Sequence, residues 1–245
     1  MTDALFLGEI DGAVPGSVVE LTGDEGRHAA VVKRIRVGES VLVSDGRGRA
    51  VHGPVVEVTK QGIRMRVDEV LSSAEGSLRF RAVQALAKGD RSDLAVELLT
   101  EIGCSEIVAW QSHRSIVRWD AKADKGLAKW AATAREATKQ SRRFRVPVVD
   151  RVVTTPQLVK QVAADEGLVL VLHEDATEPL SSLDLPHSGT VTVVVGPEGG
   201  IAPEELVQLT EAGARPVVIS DGVLRSSTAA AIAITQLQTL AAVRP

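Results

Sequence analysis

The run Val191-Thr192-Val193-Val194-Val195 constrains the fold of this 245-residue chain more than any other feature. Five consecutive β-branched residues with no charge among them have high strand propensity. Because successive side chains of a strand point to opposite faces, a strand of this composition is buried on both, which is the condition of an inner strand in a parallel sheet covered by helices. Four more strand-like runs are candidates for the same buried sheet: Phe80–Leu86, Ile107–Trp110, Leu168–Leu172 and Val217–Ile219. Helical patterns lie between and after them at Ser92–Ile102, Ala123–Gln140, Pro156–Ala164, Pro203–Ala212 and Ser226–Ala242. Alternation of this kind predicts an α/β domain with a mostly parallel sheet.

The first third has a different grammar. Short β-branched runs (Val41–Val43, Val55–Val58, Ile63–Val67) are separated by Gly-containing turns such as Asp45-Gly46-Arg47-Gly48. In the last run Ile63, Met65 and Val67 fall on one face and Arg64 and Arg66 on the other, the pattern of a half-buried strand. A small β-barrel is expected, followed by a small, polar linker at Ser72–Ser77. The expected division is residues 1–72 and 73–245.

Cys104 is the only cysteine, which rules out an intrachain disulfide and a Cys-rich zinc site and suits a reducing compartment. The start Met1-Thr2-Asp3-Ala4 has no basic segment followed by a long apolar one, and no apolar run reaches the length of a membrane span. A cytoplasmic protein with no membrane partner and no metal is expected. The net charge of −4 conceals an asymmetry. From His113 to Arg151, eleven basic residues, among them Arg114, Arg118, Arg142, Arg143 and Arg145, face four acidic ones. Local charge of that sign is what a phosphate-binding surface requires, although a solvated helix face would look the same.

The Val191 run leads into Gly196-Pro197-Glu198-Gly199-Gly200, after which Pro203 and two carboxylates open a helix. Glycine lets a ligand approach the backbone closely. The spacing matches neither the dinucleotide fingerprint nor a Walker A loop. A second strand end, Val217–Gly222, passes through Val223-Leu224-Arg225 into the alanine-rich helix at Ser226, and a third, Leu168–Leu172, ends in His173-Glu174-Asp175. Ligands of open α/β sheets bind beyond the carboxyl ends of strands, so these three turns are candidates to share one site. His173 has no partner at metal-ligand spacing and reads as a turn residue.

These strand ends, in this order, resemble the SPOUT superfamily of methyltransferases, and within it the bacterial 16S ribosomal RNA uridine N3-methyltransferases. The residues that carry the resemblance are Lys88-Gly-Asp-Arg91, Glu101-Ile-Gly103, Arg114-Ser115, Gln140-Ser-Arg142, Leu172-His-Glu174, Gly196–Gly200 and Leu224-Arg-Ser-Ser-Thr228-Ala229. The resemblance implies an N-terminal PUA-like barrel that binds RNA, a C-terminal domain with a trefoil knot, and a homodimer acting on 16S rRNA or the small ribosomal subunit. It implies S-adenosylmethionine as cofactor, with S-adenosylhomocysteine as product, held by Leu172, His173 and Glu174; by Gly196, Pro197, Glu198, Gly199 and Gly200; and by Ile219, Ser220, Gly222, Val223, Leu224, Arg225, Ser226 and Thr228. Family members usually carry Gly-Pro-Arg where this chain has Ser220-Asp221-Gly222, and Glu where it has Ser227.

Uracil N3 carries a proton at neutral pH, so its methylation requires proton removal and stabilisation of negative charge on the flanking oxygens. Arg225 is the candidate cation. Glu198 is a candidate base or positioning group, or else a helix-terminal carboxylate bonded to nearby N–H groups. RNA phosphates are expected at Arg34, Arg36, Arg47, Lys88, Arg91, Arg114, Arg118, Arg142, Arg143 and Arg145. A non-catalytic RNA-binding module and a methyltransferase acting on transfer RNA are the alternative readings.

Overall fold

The computed structural model describes residues 3–74 and 76–243, which form two compact units. The first comprises the described residues of Met1–Glu75 together with Thr138–Val146; the second contains the rest of the chain.

In the first unit β1 (Ala4–Leu7), β2 (Val18–Leu21), β3 (Ser40–Ser44), β4 (Arg49–Val58), β5 (Ile63–Arg66) and β6 (Glu69–Ser72) form a sheet of order β1-β3-β4-β5-β2, with β6 also paired to β4. The long β4 organises it. Its first residues pair with both β3 and β6, its last with β5, and the register shifts between Val55 and Glu57, where an extra residue bends the strand. Bending lets the strands wrap one apolar core of Phe6, Ile10, Val41, Val43, Val51, Val55, Ile63, Met65 and Val67. The expected alternation holds, with Ile63 and Met65 buried and Arg64 and Arg66 exposed. A short helix, α1 (Gly23–Arg27), continues into a wider π turn at His28–Val32.

Thr138–Val146, which contains three arginines of the basic stretch, packs with this unit. The Ser44 hydroxyl donates to the Phe144 carbonyl (3.1 Å), and the Gly48 N–H donates to the same oxygen (2.8 Å). Arg145 pairs with Arg47 as a strand bridge.

The second unit is a parallel sheet of order β12-β10-β11-β7-β8-β9, made of β7 (Leu78–Ala85), β8 (Glu106–Gln111), β9 (Val152–Thr154), β10 (Leu168–Leu172), β11 (Gly189–Val195) and β12 (Arg215–Val217). The Val191 run lies inside it, in β11 between β10 and β7, with residues 191–195 buried. Helices α2 (Arg91–Glu101), α3 (Ala123–Ser141), α4 (Thr155–Ala164), α5 (Pro203–Glu211) and α6 (Ser226–Ala242) follow the expected segments to within a residue or two. One apolar cluster joins strand residues such as Val108, Trp110 and Val171 to Leu158, Val162 and Leu209 of α4 and α5. On α6, the small buried residues Ala229, Ala230 and Ala233 allow close approach to β7 and β11.

Two strands differ from expectation. β9 is only three residues long and carries no periodic signal. The strand expected at Val217–Ile219 ends at Val217, because Val218 turns to pair with the segment after β10, its N–H donating to Glu178 O (2.9 Å) and its carbonyl accepting from Leu180 N–H (2.9 Å). That turn releases Ile219–Arg225 as a loop. Among the described residues no helix is long and apolar enough to cross a membrane.

Candidate active site

The loops that follow β10, β11 and β12 close around one cavity of about 420 Å³. Leu172, His173 and Glu174 line it from the first, Gly196, Pro197, Glu198 and Gly200 from the second, and Ile219, Ser220, Gly222, Val223, Leu224, Arg225 and Ser226 from the third. Arg91, expected on an RNA phosphate, lines it as well, as do Val195, Ile201, Val217, Val218, Asp221 and Ala229, which are not among the expected cofactor-binding residues. Gly199 and Thr228 stand back from the cavity. The Gly199 carbonyl accepts from Arg114 Nη1 (3.0 Å), and the Thr228 hydroxyl donates to the Arg225 carbonyl (3.2 Å) in the first turn of α6.

Backbone geometry explains the glycines. A Cβ on Gly196 would lie 2.7 Å from Ile201 Cγ1 and 3.2 Å from its nitrogen, so only glycine allows the turn to close this tightly. Gly200 has φ +72°, a conformation that other residues adopt at a cost. The third loop is held by its own chain: Ser220 Oγ donates to Gly222 O, and Gln236 Nε2 of α6 donates to Ile219 O (3.2 Å). The Ser-Asp-Gly sequence that departs from the family pattern therefore still makes an ordered loop. His173 is a turn residue, its N–H donating to Val217 O (3.1 Å) and its Nδ1 accepting from the Asp175 N–H (3.2 Å).

The two catalytic candidates have opposite surroundings. Glu198 Oε1 accepts from the Lys88 N–H (3.1 Å) and from Arg91 Nη1 (3.2 Å). Partial burial works against its ionised form, but hydrogen bonds from its own N–H, from Lys88 and from Arg91, with the charge of Arg91, hold its carboxyl below the usual carboxylate range. A carboxylate so stabilised is a weak base. Arg225 lines the same cavity, and among the described residues nothing bonds to its guanidinium.

The pocket also contains a donor without a partner. Ser226 Oγ is buried at the start of α6 with no hydrogen-bond partner among the described residues, and Ser226 lines the cavity. Gln84, fully buried on β7, donates from Nε2 to the Ser226 carbonyl (3.2 Å) and so fixes that helix end. Apolar walls from Leu172, Val195, Ile201 and Leu224 beside a helix N-terminus and a buried hydroxyl give the cavity the mixed apolar and polar surface of a small-molecule site.

The basic residues do not form one class. Arg34 and Arg36 are exposed in the first unit. Arg47 is exposed there too, 4.0 Å from Asp11. Arg142 and Arg143 are exposed on the segment that packs with it. Arg145 instead ties that segment down, donating to the carbonyls of Arg47 and Ser73. Lys139 is buried and paired with Glu25 (2.7 Å), a structural tie that charge counting cannot distinguish from a phosphate ligand. In the second unit Lys88 and Arg91 sit beside Glu198, Arg114 lies on the Gly199 carbonyl, and Arg118 faces Asp120 (3.7 Å).

Comparison with known proteins gives a consistent result. A family model described as an RNA methyltransferase domain matches residues 74–238, and one described as an RNA methyltransferase PUA domain matches residues 21–68. The chain is 48% identical to the ribosomal RNA small subunit methyltransferase E of Mycobacterium bovis, over 89% of this chain and 85% of that one. It is 27% identical to the Bacillus subtilis protein of the same name, over 89% and 88%. Among solved structures, ribosomal RNA small subunit methyltransferase E from Neisseria gonorrhoeae bound to S-adenosyl methionine superposes with a TM-score of 0.87 at 27% identity, covering 98% of both chains. A Legionella pneumophila protein in complex with the cofactor SAM gives 0.86 at 26%, with the same coverage.

Proposed function

The chain belongs to the RNA methyltransferase family, and on that premise we propose that it transfers a methyl group from S-adenosylmethionine to N3 of a uridine in the small-subunit ribosomal RNA. The observation that carries this reading is the convergence of the three strand-end loops on one cavity with an unpaired guanidinium, Arg225, in its wall.

The bound cofactor supplies an activated methyl carbon, and everything else falls to the protein. The backbone of Leu172–Glu174, Gly196–Gly200 and Ile219–Arg225, with the hydroxyl of Ser226, would hold it. Arg225 would stabilise the negative charge that spreads onto the uracil oxygens as the N3 proton leaves. Glu198 is best read as a clamp that joins the second loop to Lys88 and Arg91, not as the group that takes the proton. We read the family's trefoil knot into the path from Val218 to Ser226, which is held at Glu178 and Leu180 on one side and at Gln236 on the other.

The first unit, whose main part is the expected PUA-like domain of residues 1–72, would bring Arg34, Arg36 and Arg47 to RNA phosphates, together with Arg142 and Arg143 of its Thr138–Val146 segment. A homodimer is part of the reading, supported by apolar side chains left in solvent next to the cavity and on α6, Val223 at 80% exposure and Ile232 at 37%. Sedimentation at micromolar concentration tests it. A cytoplasmic location follows from the substrate. Methyl incorporation into intact small subunits, naked ribosomal RNA and transfer RNA, compared side by side, tests the substrate: transfer to either ribosomal form supports the reading, and transfer to transfer RNA alone overturns it.

A further inference from the structure

Glu205 is the one carboxylic residue that is fully buried among the described residues, at 3% exposure. A buried carboxyl is costly unless its oxygens are satisfied, and here both are. Oε2 accepts from the Ala202 N–H (3.2 Å), which caps α5. Capping requires no more than that bond. Oε1 reaches out of the helix to two other segments, accepting from the His113 N–H (2.8 Å) in the loop after β8 and from the Thr155 hydroxyl at the start of α4.

The His113 bond has a consequence for the cavity. Ser112 and Ser115 close a tight turn around His113, with hydroxyls 2.9 Å apart and Ser115 N–H donating to Ser112 O (3.2 Å), so a fixed His113 fixes Arg114. Arg114 extends from this turn to the Gly199 carbonyl (3.0 Å), and its Nη1 lies 3.9 Å from where a Cβ on Gly200 would stand, with Glu174 Oε1 4.0 Å from the same point. Arg114 thus meets the Gly-rich second loop, and its register depends on a buried group, Glu205, that also caps α5.

We propose that Glu205 is a positioning residue for methyl transfer, holding the 112–115 turn so that Arg114 stays on the Gly-rich loop. The proposal rests on the reading of the cavity as the methyl-transfer site. The test compares Glu205→Ala, Glu205→Gln, Arg114→Ala and the Glu205→Ala/Arg114→Ala double variant. Each is measured for kcat/KM of methyl transfer and for amide exchange over residues 112–118. Glu205→Gln keeps an oxygen for His113 and Thr155.

The expected result is a loss of about tenfold for Glu205→Ala, return to within about threefold for Glu205→Gln, and less than about twofold further loss when Glu205→Ala is added to Arg114→Ala. Exchange over 112–118 should rise in the two variants that carry Glu205→Ala and not in Glu205→Gln or Arg114→Ala. Losses that multiply in the double variant, a Gln variant as impaired as the Ala variant, or unchanged exchange would each overturn the proposal. If Glu205→Ala does not fold, Ser115→Ala loosens the same turn without touching Glu205, and the same non-additivity with Arg114→Ala is expected. Should the unaltered protein transfer no methyl group, it is the reading of the cavity that fails, and the exchange measurement still decides the role of Glu205.

Discussion

Around the cavity, two arginines of its wall and one behind the Gly-rich loop have three fates. Arg91 is paired with Glu198, Arg114 lies on the Gly199 carbonyl, and Arg225 bonds to nothing among the described residues. A cation kept free of partners in a partly enclosed site can stabilise charge that develops there, and removing one such group typically costs about 10² to 10³ in kcat. Arg225→Ala is therefore expected to lower methyl-transfer kcat by about that factor, with Arg225→Lys recovering only part of it because a single ammonium cannot reproduce the planar fork. Steady-state kinetics of the three proteins checks this. Glu198 behaves differently. Its carboxyl is held below the ordinary value of 4.5, so it binds protons less readily folded than unfolded. Its contribution to stability is present above the unfolded pKa and is lost as pH falls through the folded one. Glu198→Gln should flatten the loss of stability below about pH 4.5, measured by thermal unfolding across the acid range, while retaining far more activity than Arg225→Ala.

The Gly-rich turn after β11 is the element on which the cavity depends. A methyl group on Gly196 would meet Ile201 at 2.7 Å, a buried side chain with little room to move. Gly196→Ala should cost about 1–3 kcal/mol of stability and weaken cofactor binding together with it, as calorimetry and thermal unfolding would show. Much at this scale was legible in the sequence. Val191–Val195 read as an inner strand because β-branched side chains favour extended backbone, and Gly196–Gly200 after it read as a tight turn because glycine tolerates backbone conformations that other residues do not. β9 was not legible, since three residues leave no period to detect. The end of β12 was misplaced because Val218 and Ile219 have strand propensity, and nothing local reveals that Val218 pairs with Glu178 and Leu180. Arg145 looks in sequence like a phosphate ligand, and Lys139 counts toward the same basic stretch, because charge is visible and partners are not; Lys139 is buried against Glu25, and Arg145 is bonded to the carbonyls of Arg47 and Ser73. Glu205 was concealed in the same way, since a carboxylate in the first turn of a helix is common whether or not anything reaches it.

For the whole molecule, some basic residues hold the fold, as Lys139 does with Glu25, while others are proposed on RNA phosphates, and the two roles should separate experimentally. Lys139→Met strips Glu25 of a buried partner and is expected to destabilise the first unit by about 3 kcal/mol or more, seen as an earlier thermal transition. Arg47→Ala, Arg142→Ala and Arg143→Ala should instead weaken RNA binding. Removing one phosphate ligand should reduce the slope of log affinity against log salt by about 0.7 to 0.9. An unchanged slope would remove that residue from the interface. The measurement closest to the central claim is transfer of labelled methyl from S-adenosylmethionine to small ribosomal subunits that lack the modification, with the product nucleoside identified by mass spectrometry. N3-methyluridine, abolished by Arg225→Ala, is the predicted result; cofactor binding with no methyl transfer, or methylation at another atom or base, would contradict it.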